Sequence, residues 1–186
     1  MNIVLSDEKF KKIDADLEAI LVFDKKLENL ENDKALLEIL NFKAEDEESI
    51  LLPESKKVYV GCEKKDLDNI RIATSAVVKK FKATKFKSLK IELVDDSQEY
   101  LSAMVEGFLL GNYEFTKYKS VKKDKNKQEI VIHTNNATKE LKHILKETVE
   151  VCESVNMVRD IVNTPPDDFY PDIMASHAVD LAKECK

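Results

Sequence analysis

Residues 57–81 read Lys57-Val58-Tyr59-Val60-Gly61-Cys62, a short charged break, and then Asp66 through Phe81. In the first six, Val58, Val60 and Cys62 alternate with Tyr59 and Gly61, which is the period of a strand. In the second stretch Leu67, Ile70, Ala73, Thr74, Val77, Val78 and Phe81 recur at three- and four-residue steps, one face of a helix. Leu89–Val94 then turns apolar again. Strand, amphipathic helix and strand in succession is the unit from which α/β folds are built.

The same rhythm extends outward on both sides. Further strands are expected at Asn2–Leu5, Leu17–Phe23, Ser49–Leu52 and Glu129–His133, the last with the β-branched run Ile130-Val131-Ile132. A short helix is expected at Asp33–Leu40. A longer one over Asp96–Tyr113 carries Tyr100, Leu101, Met104, Val105, Phe108 and Leu109 on one face. Asp96 or Ser97 can cap its first turn, and Glu99 suits its positive end. The expectation is a mixed or largely parallel sheet covered on both faces.

The last third is different. From Ala137 to Val162 the apolar positions Leu141, Ile144, Leu145, Thr148, Val151, Cys152, Val155, Val158 and Val162 keep an unbroken helical period. Such a helix spans roughly 39 Å at 1.5 Å per residue, more than a small sheet needs. It should stop at Asn163-Thr164-Pro165-Pro166, because a proline biases the residue before it away from the helical region. Pro171 suits the first turn of a second helix, with Ile173, Met174, His177, Ala178, Leu181, Ala182 and Cys185 as its stripe. The division expected is residues 1–136, an α/β domain; 137–163, a connecting helix; and 164–186, the threshold of another domain.

Composition sets limits. The chain has 186 residues, a formal net charge of −6, 43% hydrophobic and 35% charged residues, but only three glycines and four prolines. That excludes collagen-like and disordered classes. The longest apolar run, Ala19-Ile20-Leu21-Val22-Phe23, is far short of the ~20 residues of a membrane helix. Met1-Asn2-Ile3-Val4-Leu5-Ser6 lacks a basic leader, and Cys62, Cys152 and Cys185 are an odd number without CxxC spacing. These read as reduced, mostly buried thiols, and the expected compartment is the cytoplasm.

Chemistry-bearing patterns are sparse. His133, His143 and His177 fall on three different elements without two-ligand spacing, so no metal site is expected. Neither a GxSxG elbow nor a local cysteine signature is present. Glu45-Asp46-Glu47-Glu48 reads as a solvated loop. Lys117–Lys127 holds six lysines with Tyr118 among them and could touch a phosphate backbone, but a polar loop is the simpler reading. The chain has only Arg71 and Arg159 to make bidentate contacts, so specific nucleic-acid reading is not expected. Gly107 and Gly111, four apart in a helix, imply close packing on a neighbour, by position a strand. They do not form a GxGxxG phosphate loop.

Two segments carry a resemblance. Ala103-Met104-Val105-Glu106-Gly107, Gly111-Asn112-Tyr113-Glu114-Phe115 and Tyr118-Lys119 resemble the "EG…LG-x-Y-x-F…YK" segment of the leucine (cytosol) aminopeptidases. Arg159-Asp160-Ile161-Val162-Asn163-Thr164-Pro165-Pro166-Asp167-Asp168 resembles that family's "RDLVN-x-P" junction, and Pro171 with the helix after it resembles the opening of its catalytic domain. Tyr170 departs from the threonine usual before that proline and cannot cap in the same way.

The resemblance implies a macrodomain-like mixed sheet flanked by helices, followed by a long interdomain helix and a short terminal helix. It implies a full-length parent that is a metal-dependent exopeptidase with two divalent ions, zinc or manganese, in a C-terminal domain. It implies that this chain's partners are its own catalytic domain and the other subunits of a homo-oligomer, a hexamer in the family, and no membrane. None of the family's metal-ligand or catalytic motifs occurs in these residues, so catalytic, cofactor-binding and metal positions are all expected to be none. Two alternatives stand beside this reading: a nucleotide module of the ADP-ribose-binding kind, and a DNA-contacting domain using Lys117–Lys127.

Overall fold

The structure is a computed structural model that describes residues 1–28, 30, 33–120 and 128–184. In chain order its elements are β1 (Asn2–Ser6), a 3-10 turn (Phe10–Lys12), β2 (Leu17–Phe23), α1 (Lys34–Ile39), β3 (Ser49–Leu52) and β4 (Lys57–Cys62). Then follow α2 (Leu67–Lys82), β5 (Ser88–Glu92), α3 (Gln98–Gly111), β6 (Glu129–His133), α4 (Lys139–Asn163) and α5 (Pro171–Glu184). The strands form a six-stranded mixed sheet in the order β1-β6-β5-β2-β4-β3. All pairs are parallel except β3 with β4, which follow each other directly in sequence.

Residue alternation sorts the sheet into two faces. Leu17, Ala19, Val58, Val60, Cys62, Leu89, Ile91, Ile130 and Ile132 point to one face, into a core shared with Ile70, Val77 and Phe81 of α2 and with Leu101, Met104 and Phe108 of α3. On the other face Val22, Leu52 and Tyr59 meet Leu37 of α1 and Phe42 and Ala44 beyond it. That second face is covered less completely than expected. Toward β1 its cover is Phe10 from the 3-10 turn, edge-on to His133 with ring centroids 5.5 Å apart, and Val4 remains 38% exposed.

The caps follow the sequence. Asp66 accepts from the Asn69 amide, Ser97 from Tyr100 and Thr138 from Leu141, at the starts of α2, α3 and α4. Thr164 is extended at the end of α4, as the following prolines require. β5 ends at Glu92, short of the Val94 expected, because its partner β6 ends at His133 and the last link is Leu93 N–H to His133 O, 2.8 Å. Gly61 is needed for close approach: a Cβ there would lie 2.0 Å from the Glu45 carbonyl oxygen, where the 44–48 turn crosses β4.

Gly107 and Gly111 pack on α2, not on a strand. A Cβ at Gly107 would fall 1.9 Å from Thr74 Oγ1 and 2.5 Å from the Arg71 carbonyl oxygen; one at Gly111 would fall 2.5 Å from Ser75 Oγ. The two glycines let α3 cross α2 nearly backbone to backbone, while the sheet side of α3 is occupied by Leu101, Met104 and Phe108. A buried network lies on the opposite sheet face. Tyr59 donates its hydroxyl to Asp33 Oδ2 at 2.5 Å, and Lys57 Nζ approaches the same oxygen at 2.8 Å. Burial works to raise the Asp33 pKa, but these two donors prevail and hold it below the usual carboxylate value. Burial, then the hydrogen bond to Asp33 and its charge, push the pKa of the Tyr59 hydroxyl strongly upward.

Candidate functional site

A cluster of linked polar side chains lies where α3 ends against the second half of α4. Asn156 Nδ2 donates to the Leu109 carbonyl at 3.3 Å, and Arg159 Nη1 to the Leu110 carbonyl at 3.1 Å. Both carbonyls lie in the last turn of α3, and that of Leu110 also accepts the Tyr113 backbone N–H at 3.4 Å, so α4 supplements the capping of α3 from the side. The Arg159 guanidinium also lies over the Tyr113 ring, 5.4 Å from its centroid. Tyr113 donates its hydroxyl to Asp160 Oδ1 at 2.9 Å and accepts from Asn163 Nδ2 at 3.0 Å. Partial burial first, with the Asp160 bond, raises the Tyr113 pKa against the opposing Asn163 bond. Further on, the Tyr118 hydroxyl donates to Asp168, which pushes its pKa up to about 12.

Beside this junction is an open groove of about 310 Å3 along the crossing of α2 and α3. Arg71 Nε donates to Glu106 Oε2 at 2.5 Å and its Nη1 to Asp68 at 2.8 Å, so much of its donor capacity is committed within the fold. The hydrogen bond to Glu106 is the chief reason the Arg71 pKa is raised.

The histidines stay apart: His133 packs on Phe10, His143 is exposed, and His177 stacks edge-on with Phe169. Among the described residues no three His, Cys, Asp or Glu side chains come together to hold a metal ion. These dispersed side chains do not form the donor set of a metal centre among the described residues. Cys62 and Cys152 are free and buried; burial first, with nearby carboxylates, raises their pKa values to about 12 and about 11. Cys185 lies outside the described residues, as do residues 121–127 of the lysine run. Of that run's described lysines, Lys119 pairs with Glu114 and Lys117 lies over the Tyr118 ring. No helix among the described residues is long and apolar enough to cross a membrane.

The sequence profile of the cytosol aminopeptidase family, N-terminal domain, matches residues 3–122. The chain belongs to that family. A probable cytosol aminopeptidase of Wolinella succinogenes is 29% identical over 192 aligned positions, covering 99% of this chain and 40% of that protein. One from Campylobacter jejuni is 30% identical over 194, covering 100% and 40%. A variant of tomato leucine aminopeptidase has the same fold, with a TM-score of 0.86 at 19% identity over 99% of this chain and 42% of that one. The chain thus spans about two fifths of the length of these relatives.

Within the family frame the two resembling segments are in physical contact. Tyr113 and Tyr118 from the first bind Asp160, Asn163 and Asp168 from the second. Sequence reading placed both segments but missed their joining, and it missed Arg71–Glu106 and Asp33–Tyr59 altogether. The one local signal for the Arg71 pair was Glu106 standing directly before a glycine that lets α2 come close.

Proposed function

We propose that these residues are the non-catalytic N-terminal part of a metal-dependent aminopeptidase that releases N-terminal amino acids from peptides in the cytoplasm. Residues 1–136 are the α/β domain, serving packing and oligomer assembly, with a hexamer as the assembled form. Residues 137–163 are the connecting helix, and 164–186 open the catalytic portion, which supplies the two divalent ions and all the hydrolytic chemistry. The observation that carries this reading is the pinned junction: α4 is fastened to α3, and the chain then passes through Thr164-Pro165-Pro166 into a helix that leaves Ile173, Met174 and Val179 exposed. A peptidase of this class uses bound metal to lower the pKa of water and polarise the carbonyl, and the described residues assemble no such donor set.

The test is direct. The purified 186-residue chain, given manganese or zinc and a leucine chromogenic amide, is expected to turn over no faster than buffer. Chelator-sensitive hydrolysis that survives purification would overturn the non-catalytic assignment.

A further inference from the structure

We propose that the groove along the crossing of α2 and α3 binds short zwitterionic peptides of dipeptide length, held by their two charged ends. The groove has a volume of about 310 Å3, at the lower limit of small-ligand sites. Its walls are sorted by charge. Glu47 and Glu106 stand toward one end, and Lys79 and Arg159 toward the other. The two helices run in the same direction, since Gly107 meets Arg71 and Thr74 while Gly111 meets Ser75. Arg159 reaches α3 at the Leu110 carbonyl, four residues beyond Glu106, or about 6 Å along the helix. Lys79 lies about two turns beyond Arg71 on α2, toward the same end as Arg159.

The fold leaves these charges usable. Arg159 spends Nη1 on the Leu110 carbonyl and on Asn156 Oδ1, both neutral acceptors. Its Nε and Nη2 remain to take a carboxylate. Glu106 engages Arg71 through Oε2, so its Oε1 can still accept a proton donor. With Asp68 and Glu47 also beside it, the single cation Arg71 leaves that end net negative. Both of the chain's arginines line this groove, all its other cationic side chains at neutral pH being lysines. Between the ends, Ile72 is 39% exposed and Leu110 half-buried, a small apolar surface above the helix crossing.

This arrangement selects its ligand. A simple anion would be repelled by Glu47 and Glu106, and a simple cation by Lys79 and Arg159, whereas a zwitterion is complementary to both ends. A free amino acid carries its ammonium and carboxylate on one carbon, too close together for charges about 6 Å apart. An extended dipeptide spans roughly 7 Å. Its ammonium would face Glu47 and Glu106, its carboxylate Arg159 and Lys79, and an aliphatic side chain would rest on Ile72 and Leu110. The walls are charged and open to water, so the groove needs no permanent cover.

Titration of the 15N-labelled 186-residue chain with leucyl-leucine, followed through its amide resonances, tests this. Gly107 and Gly111, two of the chain's three glycines, and Ser75 should shift saturably with a Kd on the order of a millimolar. N-acetyl-leucyl-leucine, leucyl-leucine amide and free leucine should each bind at least about tenfold more weakly, since each lacks one charge or the span. Glu47→Gln and Lys79→Gln, both at exposed positions, should weaken binding at least about threefold with unchanged urea unfolding. Lys34→Gln, on α1 across the sheet, should bind as the native chain does. Absence of a saturable shift up to about 20 mM would overturn the proposal. So would capped dipeptides that bind like the free one, or groove variants that bind like the native chain. None of these results alters the hydrolysis assay, so failure here is distinguishable from failure of the non-catalytic reading.

Discussion

Replacing Gly107 with alanine is expected to destabilise the domain by about 3 kcal/mol, at the upper end of the usual overpacking cost. The sign is the informative part. In a helix interior that made no tight contact, Gly→Ala would stabilise by up to ~1 kcal/mol through helix propensity. Here the new methyl would lie 1.9 Å from Thr74 Oγ1 and 2.5 Å from the Arg71 carbonyl oxygen. Thr74 cannot easily move aside: it is fully buried and its hydroxyl is held by the Ile70 carbonyl at 2.7 Å. Either α2 and α3 separate, opening the Leu101–Phe108 side of the core, or the helices bend. Thr74→Ala added to Gly107→Ala should recover part of the loss, since it removes one of the two obstacles and leaves the backbone one. Urea unfolding of the single and double variants checks both statements. A stabilised Gly107→Ala chain would mean that α2 and α3 do not cross as described.

Asp33→Ala should cost about 2 kcal/mol near neutral pH, because it leaves a buried tyrosine hydroxyl and a lysine without their shared acceptor. Lys57 keeps partial access to water, its side chain being 25% exposed, which holds the cost below that of breaking a fully buried pair. The effect has a defined pH dependence. The folded-state pKa of Asp33 is lowered from 3.8, so its contribution is fully present above that value. It is lost as pH falls below 3.8 and through the folded-state pKa. The gap in unfolding free energy between native and Asp33→Ala chains should therefore be constant from pH 7 to about 5 and narrow below about 4. A gap that widened on acidification would contradict the assigned network.

These two sites show where sequence reading stopped. β2, β3, β4 and β6 are bounded by the residues expected, because β-branched alternation and the polar breaks beside it are local signals. The order of strands is not local: nothing within Leu17–Phe23 states that it will lie between β4 and β5. Gly107 and Gly111 announced a close approach, but a missing side chain does not say what approaches, and the answer was a helix. Asp33, Lys57 and Tyr59 sit up to 26 positions apart, on a helix cap and alternate strand positions, and only the fold brings them together. On α4 the periodicity put every apolar residue on one list. Packing then divided that list into a buried face at Leu141 and Cys152 and an uncovered one at the valines. The aminopeptidase segments were legible as strings of residues, while their mutual contact through Tyr113 and Tyr118 was legible only in three dimensions.

The central claim is that a self-sufficient fold ends with α4 and that the following residues belong to another part of the protein. Amide hydrogen exchange, followed at low and high protein concentration, tests it most directly. The account predicts slow exchange across β2, β4, α2 and α3 at every concentration. It predicts rapid exchange across residues 164–184 in dilute solution, since α5 is a fourteen-residue helix without a packed face and such helices are marginal alone. Any protection gained there should appear only as concentration rises. Slow, concentration-independent exchange throughout Pro171–Glu184 would show that this helix belongs to the domain's own core, and would contradict the account.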